Sequence, residues 1–248
     1  MGVAHTSRRL PRILPEVDDQ GRSARAILAL APPALLSAPG RTHNGTVPEQ
    51  TRTAPALTGR FAAAFALAWA VHGTQRRKKT GIPYMAHVMS VAALALEHGA
   101  DEDVAMAALL HDTVEDSEDG ESTREVIEDQ FGGRVAGIVM ACSDAVAVSG
   151  RPKPDWRERK ETYLHHLATD ADADALLVSA CDKVHNARSI LADLRTDGDA
   201  VWQRFTVSDP RAQLWYYTSV LDILRRRLPG PLTSELGDIV TAIAAHVG

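Results

Sequence analysis

His111 and Asp112 directly follow an apolar run, Ala107-Ala-Leu-Leu, and Glu115 and Asp116 come about one helical turn later. On a continuous helix, residues three or four apart share a face, which sets His111 beside Glu115 and Asp112 beside Asp116. An imidazole next to a carboxylate, with two further acids a turn away, suits a divalent cation that accepts nitrogen and oxygen donors. The same residues also describe a helix end emerging into an acidic, solvated loop, and this stretch alone leaves both readings open.

Two further positions narrow the choice. Asp182 interrupts an otherwise apolar helical stretch, Leu176-Leu-Val-Ser-Ala-Cys-Asp-Lys-Val-His-Asn-Ala-Arg-Ser. A buried carboxylate is costly unless a cation, a salt bridge or a proton compensates it. Asn186 and Ser189 continue a polar stripe from Asp182 along the same face. His87 lies on a separate amphipathic segment. Each residue alone has an ordinary alternative: an arginine or lysine partner for Asp182, a satisfied core position for His87. Their order, His then His-Asp then Asp on three helices, can converge in a bundle core, where metal sites are commonly built.

The elements that would carry these residues are helical throughout, and the fold class is all-α. Residues 1–56 show no sustained period and read as a disordered extension; 57–248 read as one domain. Thr58 is placed to cap a helix through His72. A basic loop, Gln75-Arg-Arg-Lys-Lys-Thr-Gly81, leads to Pro83 and the helix of His87, which Gly99 ends. Asp101 caps the helix of the His111-Asp112 motif, expected to run on through Glu115. Ser122 and Glu125 form a capping-box start for a short helix, and another is expected from Val135 to Ala145. A loop at 148–155 precedes a charged helix from Asp155. The Asp/Ala run at 170–175 caps a long helix through Leu194. Helices from about Asp209 to Leu228 and from Thr233 to His246 follow.

Composition sets limits on function. The formal charge of −5 argues against a general nucleic-acid binder. No apolar run approaches the roughly 20 residues needed to span a bilayer. The stretch 26–38 follows acidic residues and is broken by Pro32-Pro33, so it reads as a non-signal and the protein as cytoplasmic. Cys142 and Cys181 read as buried, reduced thiols, with no disulfide framework.

Together these stretches resemble the HD superfamily of metal-dependent phosphohydrolases. They are most similar to the hydrolase domains of bifunctional alarmone synthetase-hydrolases and to small stand-alone alarmone hydrolases. The resemblance is carried by His72-Gly-Thr-Gln-Arg-Arg-Lys, Thr80-Gly-Ile-Pro-Tyr-Met-Ala-His87, Ala107 to Asp112 with Glu115-Asp116, Phe131-Gly, and Asp182 to Ser189, spanning roughly 60–200. It implies an HD helical bundle in which His87, His111, Asp112 and Asp182 hold a divalent metal, typically Mn²⁺. It makes Glu115, Asp116 and Asn186 catalytic neighbours, and Arg77, Lys78, Lys79, Tyr84, Lys160, Arg188 and Ser189 contacts for base or phosphates. This chain departs from the family pattern in a basic loop one residue longer, in Val88 where proline is usual and in Ser189 where threonine is usual.

The implied activity is hydrolysis of a pyrophosphorylated purine nucleotide, removing the 3′-pyrophosphate of a (p)ppGpp-type alarmone. A synthetase activity is not expected, because about 50 residues after the core cannot hold a nucleotide-transfer domain. Other expectations remain: an HD nucleotidase for deoxynucleotides or an adenine alarmone, or a metal-holding regulatory module that binds a partner protein. The intact ligand set and the Glu115-Asp116 pair favour an enzyme.

Overall fold

The computed structural model describes residues 56–143 and 154–247. Residues 1–55 of the expected extension, the last two residues of the helix expected to reach Ala145 and most of the loop expected at 148–155 therefore lie outside the described residues.

The helices begin where short polar side chains satisfy free backbone N–H groups. Thr58 opens α1 (Gly59–His72), its hydroxyl accepting from Arg60 N at 3.2 Å. Helix α2 (Met85–Glu97) closes in a Schellman arrangement, with Ala100 N donating to Ala95 O and Gly99 supplying φ 87°. Asp101 caps α3 (Glu102–Leu110), accepting from Val104 N at 3.0 Å. After α4 (Thr113–Asp116) come α5 (Gly120–Phe131) and α6 (Gly133–Cys142), joined by Gly132 at φ 92°. Asp155 caps α7 (Trp156–Thr169), and Asp172 caps the long α8 (Ala173–Asp197). A 3-10 segment (Gly198–Arg204), α9 (Pro210–Arg227, capped by Asp209) and α10 (Pro231–Val247) complete the described chain.

Three features differ from the sequence reading. The His111-Asp112 motif does not sit within one continuous helix: α3 stops at Leu110 and a four-residue turn of helix resumes at Thr113. The side chains themselves donate to the helix carbonyls, His111 Nδ1 to Ala108 O at 2.8 Å and Thr113 Oγ1 to Leu110 O at 2.6 Å, in competition with the backbone ladder. Helix α5 starts earlier than its expected capping box, because Asp119 accepts from Ser122 N and supplies the cap. The basic loop is a small hairpin, closed by Arg77 N to Ile82 O and Tyr84 N to Gln75 O around an isolated bridge between Arg76 and Pro83. Its left-handed residue is Lys79, at φ 54°, and not the glycine.

Helix α8 is the axis of the bundle. It packs against α2, α3 and α6 as well as α9 and α10, and Val178, Cys181, Val184 and Ala187 are fully buried along it. Ala105, Ala107 and Ala108 of α3 are fully buried too. Such small side chains let helices approach closely, which brings the end of α3 against both α2 and α8. At the opposite end of α3, Arg134 of α6 pairs with Asp101 at 2.7 Å and Asp174 at 2.8 Å, while Arg60 pairs with Asp103 at 2.8 Å. These exposed pairs are individually weak, about 0–1 kcal/mol each, but they fix the relative ends of α1, α3, α6 and α8. Among the described residues no helix is long and apolar enough to cross a membrane.

Candidate metal centre

His87 comes from the first turn of α2, His111 and Asp112 from the break after α3, and Asp182 from the middle of α8. The donor atoms of His87, His111 and Asp182 lie within 4.8 Å of one another, and Asp112 Oδ2 sits beside both imidazoles. His111 Nε2 lies 3.0 Å from Asp112 Oδ2 and 3.7 Å from Asp182 Oδ1; His87 Nε2 lies 3.5 Å and 3.3 Å from the same two oxygens. Ligands held at roughly 2.0–2.2 Å around one ion are separated by similar distances. His87 and His111 are each 2% exposed and Asp182 is 7% exposed, so bulk water does not compensate these atoms.

The donor set passes a chemical test for a cation. His111 donates its Nδ1–H to Ala108 O, which leaves Nε2 as a bare lone pair in the neutral ring. That nitrogen is buried without a hydrogen-bond partner, and the nearby Asp112 Oδ2 is itself an acceptor. Acceptors converging without a donor require a proton or a metal ion among them. Burial opposes a charged His111 ring, yet Asp112 and Asp182 hold it well above the ordinary imidazole range. Burial likewise opposes ionised Asp112 and Asp182, but the imidazoles hold Asp112 well below the carboxylate range, and Lys183 with the imidazoles does so for Asp182. The pocket favours positive charge at that point.

A layer of polar side chains braces these residues. The Tyr84 hydroxyl donates to Asp112 Oδ2 at 2.5 Å. Asn186 donates to Asp182 Oδ1 at 2.5 Å and accepts from Arg77 Nη2 at 2.8 Å. Lys183 pairs with the other oxygen of Asp182 and sits 5.3 Å and 5.8 Å from the Tyr163 and Tyr216 ring centres. His72 is fully buried; it donates to Gln75 Oε1 at 2.5 Å, and Gln75 Nε2 donates to Asp116 Oδ2 at 2.9 Å. His87 Nδ1 meets His185 Nδ1 at 2.8 Å. His72, Gln75, Lys183 and His185 were not singled out from sequence. Their signal was present in the same two stretches, as His72 three residues before Gln75 and His185 three after Asp182.

Beyond the ion position lies a cavity of about 470 Å³. Arg77, Lys78, Arg159, Lys160, Lys183 and Arg204 line it, as do Asp112, Glu115, Tyr84, Asn186 and Ser189. Phosphate groups are matched by such a basic wall. The expected substrate contacts therefore divide. Arg77, Lys78, Tyr84, Lys160 and Ser189 line the cavity. Lys79 does not: its ammonium donates to Gln203 O of the 3-10 segment. Arg188 does not either, because it is held by Glu235 of α10, Nε to Oε1 at 2.6 Å. Asp116 is exposed and tethered by Gln75 rather than turned to the ion position. Asn186, expected as a catalytic neighbour, has both ends of its amide engaged, with Asp182 and with Arg77.

Similarity to known proteins follows the same residues. The chain is 36% identical over 119 residues to a guanosine-3′,5′-bis(diphosphate) 3′-pyrophosphohydrolase of Aquifex aeolicus, covering 48% of this chain and 16% of that protein. It is 38% identical over 122 residues to the guanosine-3′,5′-bis(diphosphate) 3′-pyrophosphohydrolase MESH1 of Danio rerio, covering 48% of this chain and 62% of that one. The matches thus span about a sixth of the first curated relatives and less than two thirds of the zebrafish protein. In structure it is similar to a metazoan ortholog of SpoT that hydrolyzes ppGpp and plays a role in starvation responses. That likeness has a TM-score of 0.60 and 28% identity, over 76% of this chain and 97% of that one. With the HD domain model matching residues 64–207, more than half of its length, the chain belongs to the HD domain family.

Proposed function

We propose that the protein is a metal-dependent phosphohydrolase acting on guanosine-3′,5′-bis(diphosphate) or a close relative, releasing its 3′-pyrophosphate. The observation that carries this reading is the cluster of His87, His111 and Asp182, with Asp112 beside both imidazoles, bordering a cavity with a basic wall. The named activity of the relatives supports the choice of nucleotide.

His87 Nε2, His111 Nε2, Asp112 Oδ2 and Asp182 Oδ1 would hold the ion, and two imidazoles with two carboxylates suit Mn²⁺. Such an ion supplies Lewis-acid charge to phosphoryl oxygens and acidifies water. The chain's own groups do the rest. Glu115, on the cavity wall, takes a proton from the attacking water as its oxygen bonds to phosphorus. The bond from phosphorus to the 3′-oxygen breaks, and that oxygen leaves as the nucleotide hydroxyl after gaining a proton. Lys183, Lys160 and Arg159 offset the pyrophosphate charge, and Lys78 and Ser189 lie where the rest of the nucleotide would extend. Tyr84 and Asn186 hold Asp112 and Asp182 in place.

The test is turnover by purified, Mn²⁺-loaded full chain on a panel of guanosine-3′,5′-bis(diphosphate), its adenine counterpart, GTP and deoxynucleoside triphosphates. The expected result is GDP and pyrophosphate from the first substrate. Good cleavage of triphosphates with none of the tetraphosphate would overturn the substrate while leaving a metal hydrolase.

A further inference from the structure

His185 is half-buried on α8, one turn beyond Asp182, with its Nδ1 2.8 Å from Nδ1 of His87. Two ring nitrogens at that distance share one proton, so one ring donates and the other accepts. Arg77 breaks the tie. Its Nη1 lies 3.3 Å from the same His185 Nδ1, and a guanidinium has only protons to offer. His185 Nδ1 must then keep its lone pair, and the proton between the rings belongs to His87 Nδ1.

The consequence falls on the opposite side of the His87 ring. With its proton on Nδ1, His87 presents a bare Nε2 towards Asp112 and Asp182. The reverse arrangement would point an N–H at the ion position. Arg77 is itself fixed, donating to Asn186 Oδ1 at 2.8 Å and Ser189 Oγ at 3.2 Å. Ser189 can accept because its own proton goes to His185 O at 3.0 Å.

We propose that His185 is a positioning residue that fixes which nitrogen His87 turns to the metal, and that Arg77 sets the direction of the hydrogen bond between the two rings. The proposal rests on the metal-centre reading above. It gives Arg77 a second task, distinct from any contact with substrate: the substrate wall and a metal ligand are joined through one imidazole. Partners of this kind commonly contribute 10–100-fold to metal affinity.

The test is calorimetric titration of the full chain with Mn²⁺ alone, with no nucleotide present. His185→Phe, which keeps a ring but removes the acceptor, is expected to weaken Mn²⁺ binding about 10–100-fold. His185→Gln, whose side-chain oxygen can accept from His87, is expected to recover most of that loss. Nitrogen-15 spectra of the imidazoles in metal-free protein should show His87 with its proton on Nδ1, and a mixture of both forms in Arg77→Met. Unchanged Mn²⁺ affinity in His185→Phe, or a Gln variant as weak as Phe, overturns the proposal. If the Phe variant does not fold, a His87 tautomer unmoved by Arg77→Met overturns it instead. His111→Ala and Asp182→Ala separate the two levels: wild-type Mn²⁺ binding in both would sink the metal centre itself, whereas loss there with no effect at His185 sinks only this proposal.

Discussion

The Tyr84 hydroxyl and the Asp112 carboxylate are 2.5 Å apart, and the oxygen that Tyr84 holds is the one nearest to His111 Nε2. Burial, with Asp112 and Asp116 beside it, drives the phenol far above its ordinary pKa, so it remains a donor at any working pH. A hydrogen bond to a charged acceptor contributes about 1.5–3 kcal/mol. Tyr84→Phe should therefore weaken Mn²⁺ binding by roughly tenfold or more, with little change in KM for nucleotide. A raised KM at unchanged metal affinity would return Tyr84 to the role of substrate contact.

Glu115 lines the cavity and is not one of the candidate ligands. Glu115→Gln keeps its volume and removes its capacity to accept a proton. The expected outcome is a loss of about 10²–10⁴-fold in kcat with metal content retained. Metal analysis and single-turnover kinetics on one preparation check both halves. Loss of the metal would identify Glu115 as a brace, and full activity would remove it from the chemistry.

Two cations expected to meet the substrate have different surroundings. Arg188 is half-exposed and paired with Glu235, whereas Lys160 lines the cavity with its ammonium 4.7 Å from the Tyr216 ring centre. Arg188→Ala should leave KM and kcat within about twofold and cost under about 1 kcal/mol of stability. Lys160→Ala should lower kcat/KM about tenfold, the loss of one charge-assisted contact to phosphate. Equal effects in steady-state assays would show that the Glu235 pair does not persist in solution.

Asp101 tests the frame rather than the site. Burial acts to raise its pKa, but hydrogen bonds from Val104 N and Arg134 together outweigh it and the net shift is downward. A carboxylate with a depressed folded pKa adds stability above its unfolded value of about 3.9, and that gain disappears as pH falls through the folded value. Asp101→Ala should cost about 1 kcal/mol at pH 7 through the lost cap. Denaturant unfolding should show the gap between wild type and variant closing below about pH 3.9. A gap that stayed constant to pH 2 would mean that the ionised carboxylate contributes nothing.

The candidate ligands could be read from sequence because their types are out of place. Asp182 in an apolar helix needs compensation, and His111-Asp112 at the end of an alanine-rich run sits where a bundle core begins. What surrounds them could not be read, because it depends on helices crossing. The contact between His87 and His185 exists only because α2 lies against α8, and spacing within either helix carries no trace of it. Arg188 shows the converse. Six residues after Asp182 on a helix is a rotation of about 240°, which points it away from the ligand face; resemblance nominated it, and geometry along α8 turns it to Glu235. The break at His111 escaped periodicity for a local reason, since the competing hydrogen bonds of His111 and Thr113 are made by side chains.

The hairpin between α1 and α2 is tied at its base, by Arg77 N to Ile82 O and Tyr84 N to Gln75 O, while its tip turns through Lys79. Arg77, which reaches His185 and Asn186, and Tyr84, which reaches the ligand Asp112, belong to the tied part. Length is therefore a free variable at the tip and a fixed one below it: an added or missing residue among 78–81 is absorbed by the turn without moving either anchor. On α8 there is no such slack. One residue inserted between Asp182 and His185 would rotate every later side chain by about 100°, taking His185 from His87 and Asn186 from Arg77 in a single step.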